Sequence, residues 1–449
     1  MVELPIKIYV ERLAKQAREA MRPVGLLSSA VKDRALRGMA DRLESDQDAI
    51  LTANRDDVEA VGKTLEGETN KERVKAAVER TRLTSETLAE SVARLRQIAD
   101  LPDPVGNVTR MWLQSNGMQV SRVRVPIGVI GIISEHGPWA TTNAVAMCLK
   151  SGNVSLVRGG AEWVLSGRLV STALREAAEA AGVPVGGVTF IDRPDREAAL
   201  ELLRQTKYLD AIVPQGGAGL RKVVAEQARV PILCHDGGAC HVYVDADADL
   251  PLAQNIVVNS KVQQAVATNS VDTLLVHQAL SRSLLPGLIR RLLDEFKVEV
   301  HGCPKTIALT GYQNVKPATD VDWGQQFLGA VLAVKIVTDM NEALEHLARY
   351  GPGRSDVIVT RDYRAAMRFV REVDSAAVLV NASTRLHDGE LLGVGPHIGI
   401  STTRLHARGP LTLEQLTCQK YVAFGTGQLR QPHPVPQAYE DAIMLKRPS

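Results

Sequence analysis

The chain has 449 residues, 45% hydrophobic and 23% charged, with 35 glycines and 21 prolines; this is ordinary globular usage, and the length exceeds the ~250–300 residues one core supports, so two large domains with a cleft between them are expected. A formal net charge of +2, from 53 basic and 51 acidic residues, gives no field that draws in nucleic acid or an anionic membrane and leaves small-molecule chemistry as the expectation. No stretch of about 18 uncharged apolar residues occurs, which speaks against a membrane span, and cysteines 148, 234, 240, 303 and 418 form no CxxC and no pairing pattern, which predicts reduced thiols in a cytoplasmic protein and no metal site.

Glu3, Lys7, Glu11 and Lys15 interrupt the first 22 residues, which read as an amphipathic helix rather than a targeting segment. Apolar positions recur at helical spacing through 30–43, 46–60 and 71–98. The period then becomes two in 108–113 and 118–125, with Ser115-Asn116-Gly117 between them. Asn-Gly accepts the positive φ of a primed turn, so a two-stranded hairpin arm is expected. From 128 to 244 short apolar runs alternate with helices: GVIGIIS, a helix over 141–150, VSLVRGG, a helix over 162–181, VTFID, a helix over 196–205, AIVPQGG, a helix over 219–226, VPILC and HVYVD. Such alternation predicts a parallel sheet with crossover helices and a ligand at the carboxyl ends of its strands. Residues 250–400 repeat the style, with TLLV, DVIVT and AAVLVN as strands and helices over 279–296, 340–350 and 363–373. The proline-bearing tail after Gly425 reads as an extended surface arm.

Two glycine pairs, Gly159-Gly160 in LVRGG and Gly216-Gly217 in IVPQGG, directly follow β-runs, where backbone amides can approach a phosphate. Taken in order with RVRVPIGVIGIISE, CLKSGNVSLVRGG, VPQGGAGL, CHVYVDADADL, EVDSAAVLVNASTRLHDGE and GISTTRLHARGP, they resemble the glutamate-5-semialdehyde dehydrogenase (γ-glutamyl phosphate reductase) branch of the aldehyde dehydrogenase superfamily, over roughly residues 6–430. The resemblance implies an α/β protein with two Rossmann-like domains and a β-hairpin oligomerisation arm: 1–107 with 126–245 as the nicotinamide-cofactor domain, 108–125 with 426–449 as arm and tail, and 246–425 as the catalytic-type domain. It further implies NADP(H)- or NAD(H)-dependent reductive dephosphorylation of γ-glutamyl phosphate by a homo-oligomer, a dimer being expected.

That chemistry needs a thiolate, an oxyanion hole and a hydride donor. The family segment resembling RPGVCNALETLLV reads QAVATNSVDTLLV here, so Thr268 stands at the cysteine position, followed by Asn269 and Ser270. A threonine hydroxyl is a far poorer nucleophile than a thiolate. The family's EARPNVT-like run reads Glu135-His136-Gly137-Pro138-Trp139-Ala140-Thr141, so Trp139 replaces an asparagine directed toward the oxyanion, with Asn143 one turn later as a substitute donor. Gln326 stands where the resemblance implies a ribose-binding glutamate, and Gln215 where an arginine is common; weakened or lost cofactor binding follows. Arg158 matches the branch. Cys234 and His235 stand in the loop that carries a general base in other aldehyde dehydrogenases, and Glu135, Ser270 and Arg385 are the expected substrate contacts. Cys148 and Cys240 read as core thiols, Cys303 and Cys418 as surface ones.

Two classes of function stay open. One is an enzyme acting on a glutamate-like or other amino-acid-derived substrate without a thioester, for example by direct hydride transfer. The other is a catalytically inactive paralogue that binds a metabolite or a protein partner.

Overall fold

A computed structural model describes residues 4–66, 71–233, 237–351 and 353–430. Five helices come first: α1 (Ile6–Gly25), α2 (Ser29–Ser45), α3 (Gln47–Thr64), α4 (Lys71–Thr81) and α5 (Ser85–Asp100). The period over 71–98 had read as one helix, but the chain breaks after Thr81. Buried Asn54 of α3 satisfies the break, its amide donating to the Thr81 carbonyl and its oxygen accepting from the Leu83 N–H, and Thr84 then caps α5 by accepting from the Thr87 amide. Hydrophobic periodicity does not register such a tertiary substitute for two helical hydrogen bonds.

A hairpin follows, β1 (Val108–Leu113) and β2 (Gln119–Pro126). Gly117 supplies φ +84° and the Asn116 side chain accepts from the Met118 amide, as the Asn-Gly signal implied. The arm holds a third strand, however. Residues 417–424 pair antiparallel with β2 over eight positions, so 417–425, expected in the catalytic-type domain, belong to the arm. A third strand satisfies an edge that an isolated hairpin leaves open.

The first α/β body comprises β3 (Val129–Ser134), α6 (Pro138–Lys150), β4 (Val154–Arg158), α7 (Val164–Ala180), β5 (Val188–Ile191), α8 (Arg196–Leu203), β6 (Ala211–Gln215) and α9 (Ala218–Gln227). Its parallel sheet runs β5-β4-β3-β6. Among the described residues, VPILC adds an isolated bridge between Ile232 and Ile212. HVYV forms β7 (His241–Val244), and it lies in the other sheet, between strands 273–277 and 355–359. The expected boundary at 245 therefore falls too late. A four-residue apolar run satisfies either sheet, and here the buried Asp272 carboxylate accepts from the Cys240 amide, fixing the run beside strand 273–277.

The second body continues with α10 (Leu250–Val262), β8 (Thr273–His277), α11 (Gln278–Asp294), β9 (Glu299–Gly302), α12 (Pro304–Thr310), β10 (Val315–Pro317), α13 (Asp320–Gly324), β11 (Val331–Val337), α14 (Met340–Tyr350), β12 (Ser355–Val359), α15 (Tyr363–Glu372) and β13 (Ala377–Val380). All seven strands are parallel, in the order β10-β9-β11-β8-β7-β12-β13. Three of them, β9, β10 and β11, had no counterpart in the sequence reading. Cys303 begins α12 and is buried rather than superficial, whereas Cys418 is exposed as expected.

The chain returns through a short 3-10 turn (Thr384–Leu386), the small pair β14 (Ile400–Ser401) and β15 (Gly409–Pro410), and the arm strand β16 (Thr417–Phe424). Ile398, Leu411, Leu413 and Leu416 pack in the first body's core, and the 384–398 loop accepts hydrogen bonds from Asn143 and Gln215 of the first body and from Asn269 of the second. No described helix is long and apolar enough to cross a membrane.

Candidate active site

The first body places its chain reversals at the carboxyl ends of β3, β4 and β6. After β4, Arg158 is about nine-tenths buried; one guanidinium nitrogen donates to the Gly159 carbonyl at 2.8 Å, another to the Pro194 carbonyl, and Nε has no protein partner. Burial lowers the affinity of this guanidinium for its proton, opposed by Glu162, Glu135 and Asp195. Open space surrounds the position a Gly159 Cβ would take. Together Gly159, Gly160, Trp163, Phe190 and Pro194 line a groove of about 620 Å³, its mouth included. After β6, the Gly217 amide at the start of α9 donates to Glu135 Oε2 at 3.0 Å. A Cβ on Gly216 would collide with that carboxylate, so glycine there is what lets β3 and β6 present Glu135 and the helix amide together. Gln215 donates to the Ile398 carbonyl at 3.1 Å, and its Oε1 is buried without a partner.

Trp139, which stands at the expected asparagine position, is placed by its ring contacts. It lies in the first turn of α6, its ring over Gly137 and edge-on to Trp163, with centroids 5.9 Å apart at 87°. Trp163 is itself buried and donates from its indole to the Thr81 carbonyl at 3.0 Å. Trp139 packs, partly buried, against the first body's core. Asn143 spends its amide on the His397 carbonyl at 3.0 Å, while its Oδ1 is buried without a partner.

In the second body Thr268, Asn269 and Ser270 occupy the turn between α10 and β8. Thr268 is half-buried, and its carbonyl accepts from Gln326 Nε2 at 3.0 Å and from the Cys240 thiol at 3.6 Å. Gln326 Oε1 accepts in turn from Arg221 of α9 at 3.2 Å. The residue expected to meet a ribose thus braces the Thr268 turn against the first body. Asp272 strengthens the brace by accepting from the Cys240 amide and the Phe327 amide, both at 3.0 Å. Asn269 donates to the His387 carbonyl at 3.0 Å and leaves its Oδ1 buried and unpartnered; Ser270 donates to the Ser260 carbonyl at 3.2 Å. Arg385 is held by two glutamines, Nε to Gln263 Oε1 at 2.8 Å and a terminal nitrogen to Gln264 Oε1 at 2.9 Å.

Cys240 is the thiol that this geometry brings behind Thr268. It is wholly buried, and burial together with the Asp272 charge pushes its thiol well above the ordinary range, although a Ser355 hydrogen bond opposes the shift. Ser355 also bonds His387 Nδ1 at 2.7 Å. Burial holds the His387 imidazole down at about 4, so at neutral pH it is an uncharged partner and no source of a thiolate. Cys148 is likewise pushed up to about 12 by burial. Cys234 and His235 lie outside the described residues. Among the described residues no cluster of three or more His, Cys, Asp or Glu is placed to hold a metal ion.

Sequence reasoning missed Arg221, Ser355 and His387. Arg221 had one legible signal, its place one turn into the helix after the second glycine pair; Ser355 and His387 had none, because they reach the site by sheet pairing and a long loop. Of the expected set, Glu135 meets Gly217, Thr268 meets Gln326, and Asn269 meets the 385–387 loop. Trp139 is packed into the first body's tryptophan pair.

A model of the aldehyde dehydrogenase family matches residues 7–307. The γ-glutamyl phosphate reductase of Moorella thermoacetica is 46% identical over 426 residues, 95% of this chain and 100% of that protein. Its counterpart from Thermodesulfovibrio yellowstonii is 44% identical over 428 residues, again 95% and 100%. The crystal structure of γ-glutamyl phosphate reductase from Thermotoga maritima superposes with a TM-score of 0.88 at 39% identity, covering 94% of this chain and 100% of that one. With its two parallel sheets and its arm, the chain belongs to the aldehyde dehydrogenase family, in the γ-glutamyl phosphate reductase branch.

Proposed function

We propose that this protein binds a nicotinamide dinucleotide and a glutamate-like or other amino-acid-derived carbonyl compound in the cleft, and reduces the latter by direct hydride transfer with no thioester intermediate. The observation that carries this reading is Thr268. It stands where the family resemblance implies the nucleophile, and the thiol behind it, Cys240, is buried and held protonated. Without a thiolate at either position the acyl-enzyme route has no starting group.

The residues present fit a dinucleotide: Arg158 Nε and Gln215 Oε1 are buried polar atoms without protein partners, and Gly159 leaves open space for close approach. Arg158, Gly159 and Gly160 would hold its adenosine side, the Gly216-Gly217 turn its phosphates and Gln326 its ribose. When bound, the nicotinamide supplies the hydride. Arg385, already oriented by Gln263 and Gln264, would hold a substrate carboxylate, and Ser270 and the unpartnered Asn269 Oδ1 would hold its polar groups.

A second reading, a non-catalytic paralogue, draws on a different observation. Gln326 is engaged at both ends and Glu135 covers the α9 amide, so groups placed to meet a cofactor already meet each other. Calorimetric titration with NADPH and NADH, followed by NADPH consumption with glutamate semialdehyde and related carbonyl compounds, separates the two. Micromolar binding with consumption supports the enzyme; binding without turnover of any of them supports the paralogue. Failure of both nucleotides to bind removes the hydride-transfer reading. We further propose a cytoplasmic homodimer joined through the arm, whose sheet exposes Met111, Leu113, Tyr421 and Phe424; light scattering giving a monomeric mass at micromolar concentration would count against it.

A further inference from the structure

A second groove, of about 960 Å³ with its open mouth included, runs between α1 and α7 along β5, the edge strand of the four-stranded sheet. Arg168 and Arg175 are seven residues apart on α7, two helical turns, and so share one face, with Thr172 between them. Arg12 of α1 lines the same groove. Among the described residues none of these three arginines pairs with a carboxylate, whereas other surface arginines of this body do: Arg37 with Asp100, Arg42 with Asp46, and Arg96 with Asp41 and Glu44. Two acids also line the groove. Asp192 accepts from the Tyr9 hydroxyl, and Glu179 lies one turn beyond Arg175 at the far end.

Three guanidinium groups line this concave surface against two carboxylates, Asp192 and Glu179, so the lining keeps an excess of positive charge that an anion would neutralise. Their planar forks match the oxygens of a phosphate better than a single carboxylate would, and the Thr172 hydroxyl adds a further donor. We propose that this groove is a binding site for a phosphate ester or pyrophosphate group, with Arg12, Arg168 and Arg175 as its ligands. Two sources share that chemistry. The groove shares Arg168, Ser171, Phe190 and Asp192 with the one beside Gly159 and Gly160, so the phosphate can belong to the ribose of a dinucleotide lying there, or to a separate phosphorylated metabolite. Only the first source rests on the nucleotide reading above.

The test uses the full chain and inorganic pyrophosphate in calorimetry at low and moderate salt. One equivalent should bind, more weakly as salt rises. Binding should fall at least tenfold in an Arg12→Gln, Arg175→Gln double variant whose circular dichroism and melting temperature are unchanged; Arg175→Gln alone serves if the double variant unfolds. Pyrophosphate that displaces NADPH but not NADH assigns the site to the cofactor's ribose phosphate, and pyrophosphate that displaces neither assigns it to a free metabolite; both outcomes sustain the site. No binding at millimolar pyrophosphate in low salt, or equal binding by the double variant, overturns it. If neither nucleotide binds while pyrophosphate binding depends on Arg12 and Arg175, the nucleotide reading fails and the phosphate site stands.

Discussion

The groove of the first body and the Thr268 turn of the second are built differently. Around Gly159 the surface is open, and Arg158 Nε beside it is buried without a partner. Around Thr268 most polar groups answer one another: Gln326 spans Arg221 and the Thr268 carbonyl, Asp272 ties the Cys240 and Phe327 amides, and Asn269 donates to the 385–387 loop while its Oδ1 stays unpartnered. On the reading proposed above, the first region would bind a ligand through its backbone, whereas at the second the bond-making would hang on a single side-chain atom, so the two contributions can be tested separately.

The largest effect expected from that contrast concerns turnover. The protein should show no phosphate-dependent oxidation of glutamate semialdehyde above background, at least ~10³-fold below a cysteine-bearing relative, and Thr268→Cys alone should not restore it, because groups that act as a unit are non-additive. A steady-state assay of both proteins decides; full activity in the single variant would mean that Trp139 and Gln326 are harmless.

Acid should find the second body first. His346 is buried between Trp323 and Tyr350 with neither ring nitrogen partnered, and burial holds it down at about 3, against 6.5 in the unfolded chain. Because the unfolded state binds the proton more readily, stability is fully present above about pH 6.5 and is lost as pH falls toward 3. The loss due to this residue should be about 2 kcal/mol at pH 5. His346→Phe should flatten denaturant-derived stability between pH 7 and 5; an unchanged slope would show that the ring finds a way to charge without unfolding.

A smaller effect of about 1–2 kcal/mol is expected on the groove side. Asp57 of α3 accepts from the Leu165 and Ser166 amides, both at 2.9 Å, and so caps α7, a wall of both grooves. Asp57→Ala should lower the urea midpoint and weaken NADPH binding together; a lower midpoint with unchanged affinity would show that the groove does not depend on the cap.

The smallest effect belongs to the brace. Gln326→Glu cannot donate to the Thr268 carbonyl but offers a charged acceptor to ribose hydroxyls. It should raise NADPH affinity by about fivefold, the ~1 kcal/mol difference between charged and neutral acceptors. Weaker binding would mean that the brace organises the cofactor site rather than competing with it.

Local periodicity and turn chemistry in the sequence already specified much of this molecule. The Asn116-Gly117 hairpin, the alternation of strands and helices from β3 to α9, helix Met340–Tyr350 and the glycine pairs after β4 and β6 are set by neighbours a few residues apart. The identities of Thr268, Trp139, Gln215 and Gln326 were equally legible, and with them the expectation of a changed reaction. What those residues touch was decided elsewhere. β7 joins the seven-stranded sheet because a carboxylate 32 residues away holds the Cys240 amide; β16 returns to the arm from nearly 300 residues downstream; Trp139 meets Trp163 and Gln326 meets Arg221 across 24 and 105 residues. A residue type limits the contacts a side chain can make, but pairing between distant segments selects among them, and that selection depends on burial and register that no local window contains.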